Sequence, residues 1–199
     1  MNLGAHPRDP GIREALLPKG ARLFALSADY RIDDTRAQLF FAEVQNKLLY
    51  AVTLKTAAEI VVARADANSP NMALCTWSGS RVRRHDVIVA KNYLSADEVD
   101  TLNRLVVIFL EQAELRVKER KELTLDYWRG NVDRLLEFND RPLLRNSGSI
   151  SNDQMKTIAQ DRYSTFDAQR RDAEALVSDT EDLKELESIA AKAKQDRKS

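Results

Sequence analysis

Two segments of this chain return an apolar residue at alternating intervals of three and four, and two more keep their apolar residues to one side, as one face of a helix with 3.6 residues per turn does. Phe41, Val44, Leu48 and Ala51 form the first stripe, within TRAQLFFAEVQNKLLYAV from Thr35. Val99, Leu102, Val106, Phe109 and Ala113 form the second, and Leu125, Trp128, Val132, Leu135 and Leu136 the third. Met155, Ile158, Ala159, Phe166 and Ala173 form the fourth. A strand turns every second side chain to the same face, so stripes of this period exclude a sheet wherever they run and predict an all-α chain.

The helix starts are marked too. Thr56 with Glu59, Ser95 with Glu98 and Ser151 with Gln154 have the form of capping boxes, in which two side chains satisfy backbone amides left free at the first turn. The first box predicts a short second helix after a break at TLK, running to about Asp66. The second opens the longest helix, whose basic end RVKERKEL suits the negative end of the helix dipole. Thr124 caps LDYWRGNVDRLLEF, and NDRP stops it.

Between the second and third helices, RADANSPNMALCTWSG (Arg64 to Gly79) breaks the helical pattern. The reading is a turn at Ser69 and Pro70 that lays Met72, Leu74 and Trp77 over the bundle as a plug. In the following SRVRRHDVIVAKNYL, alternation admits a strand and Asp86 admits a capped helical turn. With no second strand-like run to pair with, the helix is preferred. After Leu176 the stripe thins to Leu183, Leu186 and Ile189 or Ala190 in a charged, alanine-rich segment that either meets a partner or stands solvated. The expected architecture is an irregular bundle of five to six helices with a loop plug between helices two and three. It divides into a flexible leader over 1–22, a helical domain over 23–177 and a charged C-terminal helix or tail over 178–199.

Lysine plus arginine number 31 and aspartate plus glutamate number 31, so no global field draws the chain to nucleic acid or anionic lipid, and any basic site is local. Two such segments stand out, 81–85 and 116–121. Arg81, Arg83 and Arg84 are candidates for phosphate contacts, against the plainer reading of a solvated loop. The longest apolar run, LVVIFL, is too short to cross a bilayer, and the N-terminus has no apolar run of signal-peptide length. A cytoplasmic protein without membrane contact is expected. The lone Cys75, between apolar neighbours, is read as a small buried hydrophobe and excludes an internal disulfide.

No catalytic residue, metal site or cofactor is assigned. His6 lies alone in the leader, and His85 beside Asp86 lacks the converging third group that acid–base or nucleophilic chemistry needs. No two histidines stand at metal-ligand spacing, and no phosphate loop can be drawn through the scattered glycines. The sharper candidate set is Gln45, Asn46 and Lys47 with Glu59, Arg64, Asp66, Lys91, Asn92 and Tyr93. These polar groups beside apolar stripes converge on a pocket or form a structural network where helices meet.

FFAEVQNKLLYAV, TAAEIVVARADA, NMALCTW, DVIVAKNYLSADEV, LNRLV, AEL, LLEFN and SGSIS, in this order, resemble the virulence RhuM family of bacteria over roughly Ser27 to Arg171. The resemblance implies an association with pathogenicity islands and mobile elements but no settled biochemical activity. It also implies that the chain corresponds to the C-terminal part of a longer protein, without an N-terminal module that resembles phage antirepressor DNA-binding domains. The family pattern has histidines where this chain has Leu49 and Lys55, and a glycine where it has Leu54. Three functional readings follow. They are an accessory or regulatory domain acting through a protein partner or self-association, a nucleic-acid-binding protein using the two basic segments, and an enzyme of unknown reaction using Glu59, Asp66, Lys91 and Tyr93 or a remnant of a longer gene.

Overall fold

The computed structural model describes residues 35–119 and 124–196. The described residues form five α-helices and no strand: α1 Thr35–Thr53, α2 Ala57–Arg64, α3 Ala96–Lys118, α4 Leu125–Phe138 and α5 Asn152–Asp196. Two single 3-10 turns, Pro70–Ala73 and Ala90–Tyr93, punctuate the connection from α2 to α3. The expected leader over 1–22, with His6, and the end of the second basic segment, Arg120 and Lys121, lie outside the described residues.

All three capping boxes form. Thr56 and Glu59 exchange bonds of 2.8 and 3.4 Å, Ser95 and Glu98 of 2.9 and 3.3 Å, and Ser151 and Gln154 of 3.0 and 3.2 Å. Thr124 Oγ1 accepts the Tyr127 amide at 3.1 Å. The apolar stripes then decide the packing: α1 lies against α3 and α4, and α2 bridges α1, α5 and the second 3-10 turn. Phe109 of α3 meets Trp128 of α4 edge to face at 5.9 Å, both fully buried, a geometry that adds to the apolar area they remove from water.

Several expectations need correction. Phe40, not Phe41, is the buried ring of α1, and Phe41 packs half-buried against its edge. Ala173 is exposed, because α5 leaves the body of the protein after Phe166 and Asp167. Helix α2 ends at Arg64, two residues before Asp66. Residues 84–88 are a series of turns, neither strand nor α-helix, and only Ala90–Tyr93 is 3-10. The reason is Asp86: its buried carboxylate accepts the Ser78 and Arg83 amides at 3.3 and 2.8 Å and so bends the chain back on itself instead of capping a helix.

Met72 and Leu74 are buried as the plug, with Trp77 half-buried. Cys75 is exposed rather than buried: its amide donates to the Asn92 carbonyl at 2.7 Å, which fixes the backbone while the side chain faces outward. The plug turns through three left-handed residues, Asn71, Met72 and Ala73, and the full burial of Met72 offsets part of that backbone cost.

Leu54, after the last residue of α1, is also left-handed, with φ of 59°, and is 61% exposed. A helix that ends on a left-handed residue favours glycine there. Replacing it, Leu54→Gly, therefore relieves about 1 kcal/mol of backbone strain while giving up little packing. The melting temperature is expected to rise by roughly 2–4 °C in a thermal scan followed by circular dichroism; a fall would mean that the exposed leucine contributes more by contact than its backbone costs.

Candidate functional site: an arginine-lined groove

The polar residues picked out by sequence do not gather in one place. On α1, Gln45 is exposed, while Asn46 Oδ1 accepts the Ala57 amide at 3.0 Å, the first free amide of α2. Lys47 is buried and bridges Asp133 of α4 at 2.9 Å and Glu43 at 3.2 Å. Arg129 of α4 returns to Glu43 at 2.8 Å and lies over the Phe40 ring, so a chain of alternating charges runs along the α1–α4 seam.

At the start of α2, Glu59 serves a second element as well as its own box. Its Oε1 accepts both the amide and the hydroxyl of Ser149, each at 2.7 Å. Burial alone would raise its pKa, but the hydrogen bonds from Ser149 and Thr56 outweigh burial and hold the carboxyl at about 2. Gly148 makes this approach possible: it sits at φ of 87°, and a Cβ there would stand 2.8 Å from Thr56 Cγ2. At the other end of α2, Arg64 forms a fork with Glu98 of α3, two bonds of 2.6 Å, and donates to the Tyr93 carbonyl at 2.7 Å. Asp66 closes a local turn by accepting from the Asn68 amide and the Ser69 hydroxyl.

Asn92 and Tyr93 hold the loop. Asn92 Nδ2 donates to the Asp86 carbonyl at 2.9 Å, and the Tyr93 hydroxyl donates to the Val87 carbonyl at 2.9 Å. Burial pushes the Tyr93 hydroxyl up, so it remains a donor across the ordinary pH range. Lys91 is half-buried beside them. Of the four groups in the enzyme reading, Glu59 and Asp66 therefore lie at opposite ends of α2, about 10 Å apart along its axis, and Tyr93 is bonded within its own loop.

The arginines behave differently. Arg81, Arg83 and Arg84 are exposed on the loop and face α5 across two hollows, of about 250 and 490 Å³, that share Tyr163, Asp167 and Arg171 as walls. Arg170 and Arg171 complete the helix wall: Asp167 accepts from Arg170 at 2.6 Å through one oxygen and from Arg171 through the other. Both arginines hold the Asp167 carboxyl below the usual carboxylate range. Five arginines against Asp167 and Glu174 leave this groove strongly positive in a chain of zero net charge. The described residues of the other basic segment, 116–119, do not line it, and Arg116 there pairs with Glu119 at 3.4 Å.

Sequence reading missed Arg162, whose Nη1 donates at 2.7 Å to the carbonyls of both Val62 and Ala65 and so closes the free end of α2. It also missed the α5 wall. One signal was present, since DAQRR puts two arginines three and four residues after Asp167, where they reach back to it on a helix. Nothing in the order of residues announced that this turn of α5 would face Arg81.

A family model described as the virulence protein RhuM family matches residues 14–174, most of the chain. No curated protein and no solved structure matches it.

The Glu59–Ser149 contact sets an acid limb. Its folded pKa of about 2 lies below the ordinary glutamate value near 4.3, so its stabilisation is complete above that value and is lost as pH falls through about 4.5 toward 2. In denaturant titrations, Glu59→Gln is expected to start with a lower midpoint and to lose less of it across that window than the unmodified chain. Equal losses would assign the acid limb to other carboxylates such as Glu98. Gly148→Ala, which strains the backbone and crowds Thr56, is expected to cost about 2 kcal/mol in the same measurement.

Proposed function

The chain belongs to the virulence protein RhuM family, and from that premise we propose that it is an accessory or regulatory protein that works through protein contacts, beginning with a second copy of itself. The observation that supports this is the outer half of α5. Every described side chain from Arg171 to Leu186 is exposed, including Leu176, Val177, Leu183 and Leu186, each more than half uncovered. Among the described residues, no helix is long and apolar enough to cross a membrane. A helix of 45 residues rises about 68 Å, and where no neighbour covers it, it must rely on weak local terms alone. Association that covers the leucines supplies what the isolated helix lacks.

Charge indicates the partner. Between Asp172 and Glu187 the sequence carries seven acidic residues and one basic one, while 188–199 carries four basic residues and one acidic one. Two parallel copies would set like charge on like, whereas two antiparallel copies lay each basic end along the other's acidic stretch and bring Leu183 and Leu186 together at the centre. The expected boundary near residue 178 falls inside one continuous helix whose exposed stretch already begins before it, and a cytoplasmic setting fits the single cysteine.

Sedimentation equilibrium tests this. The full chain is expected to be a dimer that weakens as salt rises, and removal of 180–199 or the pair Leu183→Glu and Leu186→Glu is expected to yield a folded monomer. A full-length chain that stays monomeric at the highest accessible concentration overturns the reading.

A further inference from the structure

We propose that the groove between the Arg81–Arg84 loop and α5 binds a short single-stranded nucleic acid, with phosphates on the guanidinium groups and a base stacked on Tyr163. The inference stands apart from self-association, whose apolar contacts, Leu176 to Leu186, come after the groove residues on α5.

Arg81 and Arg83 are exposed and form no ion pair among the described residues, and Arg84 has one bond of 3.3 Å, to Gln160. Opposite them, the buried carboxylate of Asp167 sets two guanidiniums side by side on the helix. A long side chain fixed in advance loses less freedom when a ligand arrives, so this wall is preorganised for an anion.

The shape separates a strand from a single small anion. The two hollows share Tyr163, Asp167 and Arg171 as walls and are both open to solvent, and each is larger than one phosphate group, so the arginines around them can meet more than one phosphate of a strand. Tyr163, half-buried, borders both of them. An aromatic ring flanked by cationic groups is the surface on which unpaired bases stack, without regard to sequence. A duplex keeps its bases stacked inside and has none to lay on Tyr163, which makes a single strand the better fit.

The test is fluorescence anisotropy of labelled oligo-dT and oligo-U about ten nucleotides long, titrated with the full chain and with inorganic polyphosphate as competitor. Saturable binding is expected at about 50 mM salt, weakening with a log–log slope of about −2 to −4 as roughly three to five phosphates are neutralised. The combined change Arg81→Ala, Arg83→Ala and Arg84→Ala is expected to weaken it by about tenfold or more, with circular dichroism unchanged because all three side chains are exposed. Tyr163→Ala is expected to weaken it by about tenfold and Tyr163→Phe to leave it nearly unchanged. No binding at low salt, or binding that the triple variant retains, overturns the site. Binding that ignores Tyr163→Ala and yields equally to polyphosphate identifies a general polyanion surface and overturns the nucleic-acid assignment. Sedimentation of the same samples reads self-association separately, so failure of either proposal is visible without the other.

Discussion

An eight-residue helix is not stable alone in water, because the cost of its first turn is not recovered over so short a length. Helix α2 is such a helix, and the fold depends on how its ends are tied. At its start, Thr56 and Glu59 cap each other, Asn46 of α1 accepts the Ala57 amide, and Ser149 binds Glu59 from the turn before α5. At its end, Arg162 of α5 accepts the task of satisfying the Val62 and Ala65 carbonyls by donating to both, and Arg64 forks onto Glu98 of α3. The groups that a helix leaves unsatisfied at its ends thus become the joints that hold α1, α3 and α5 in place.

The same joints create the groove. Ser149 fixes the beginning of α5, and Arg162, fourteen residues into the chain from Gly148, fixes its angle across α2, so the next turns of α5, with Asp167, Arg170 and Arg171, pass beside the loop that carries Arg81 and Arg83. That loop is held independently. Asp86 gathers the Ser78 and Arg83 amides, Asn92 spans from Asp86 to Cys75, and Tyr93 anchors Val87. Two rigid supports therefore present arginines to one another across a gap, and the charge that results is local although the whole chain is neutral. Beyond the groove the described side chains of α5 up to Leu186 are left uncovered by the other described residues, so a single helix has one segment that closes the bundle and another that stands outside it.

Much of this was legible in the order of residues. Helical stripes and capping boxes are relations between residues three or four apart, fixed by backbone geometry, so α3 and α4 and all three boxes follow directly from the sequence. Errors arose where two local readings were nearly equivalent. Phe40 and Phe41 are adjacent, and the choice between them depended on how α1 rotates against α3 and α4. Cys75 sits among apolar neighbours in sequence, yet its orientation was set by the bond of its amide to Asn92.

By itself the sequence determined an all-α chain, the capped starts of its helices, a plug anchored by Met72 and Leu74, and family membership. Tertiary structure decided which polar groups meet. Lys47 reaches Asp133 across 86 positions, Glu59 reaches Ser149 across 90 and Arg162 reaches Val62 across 100. A helix records its period and its caps within one turn of the chain. The partner of a charged side chain depends on how whole helices rotate and cross, and no local spacing encodes that choice.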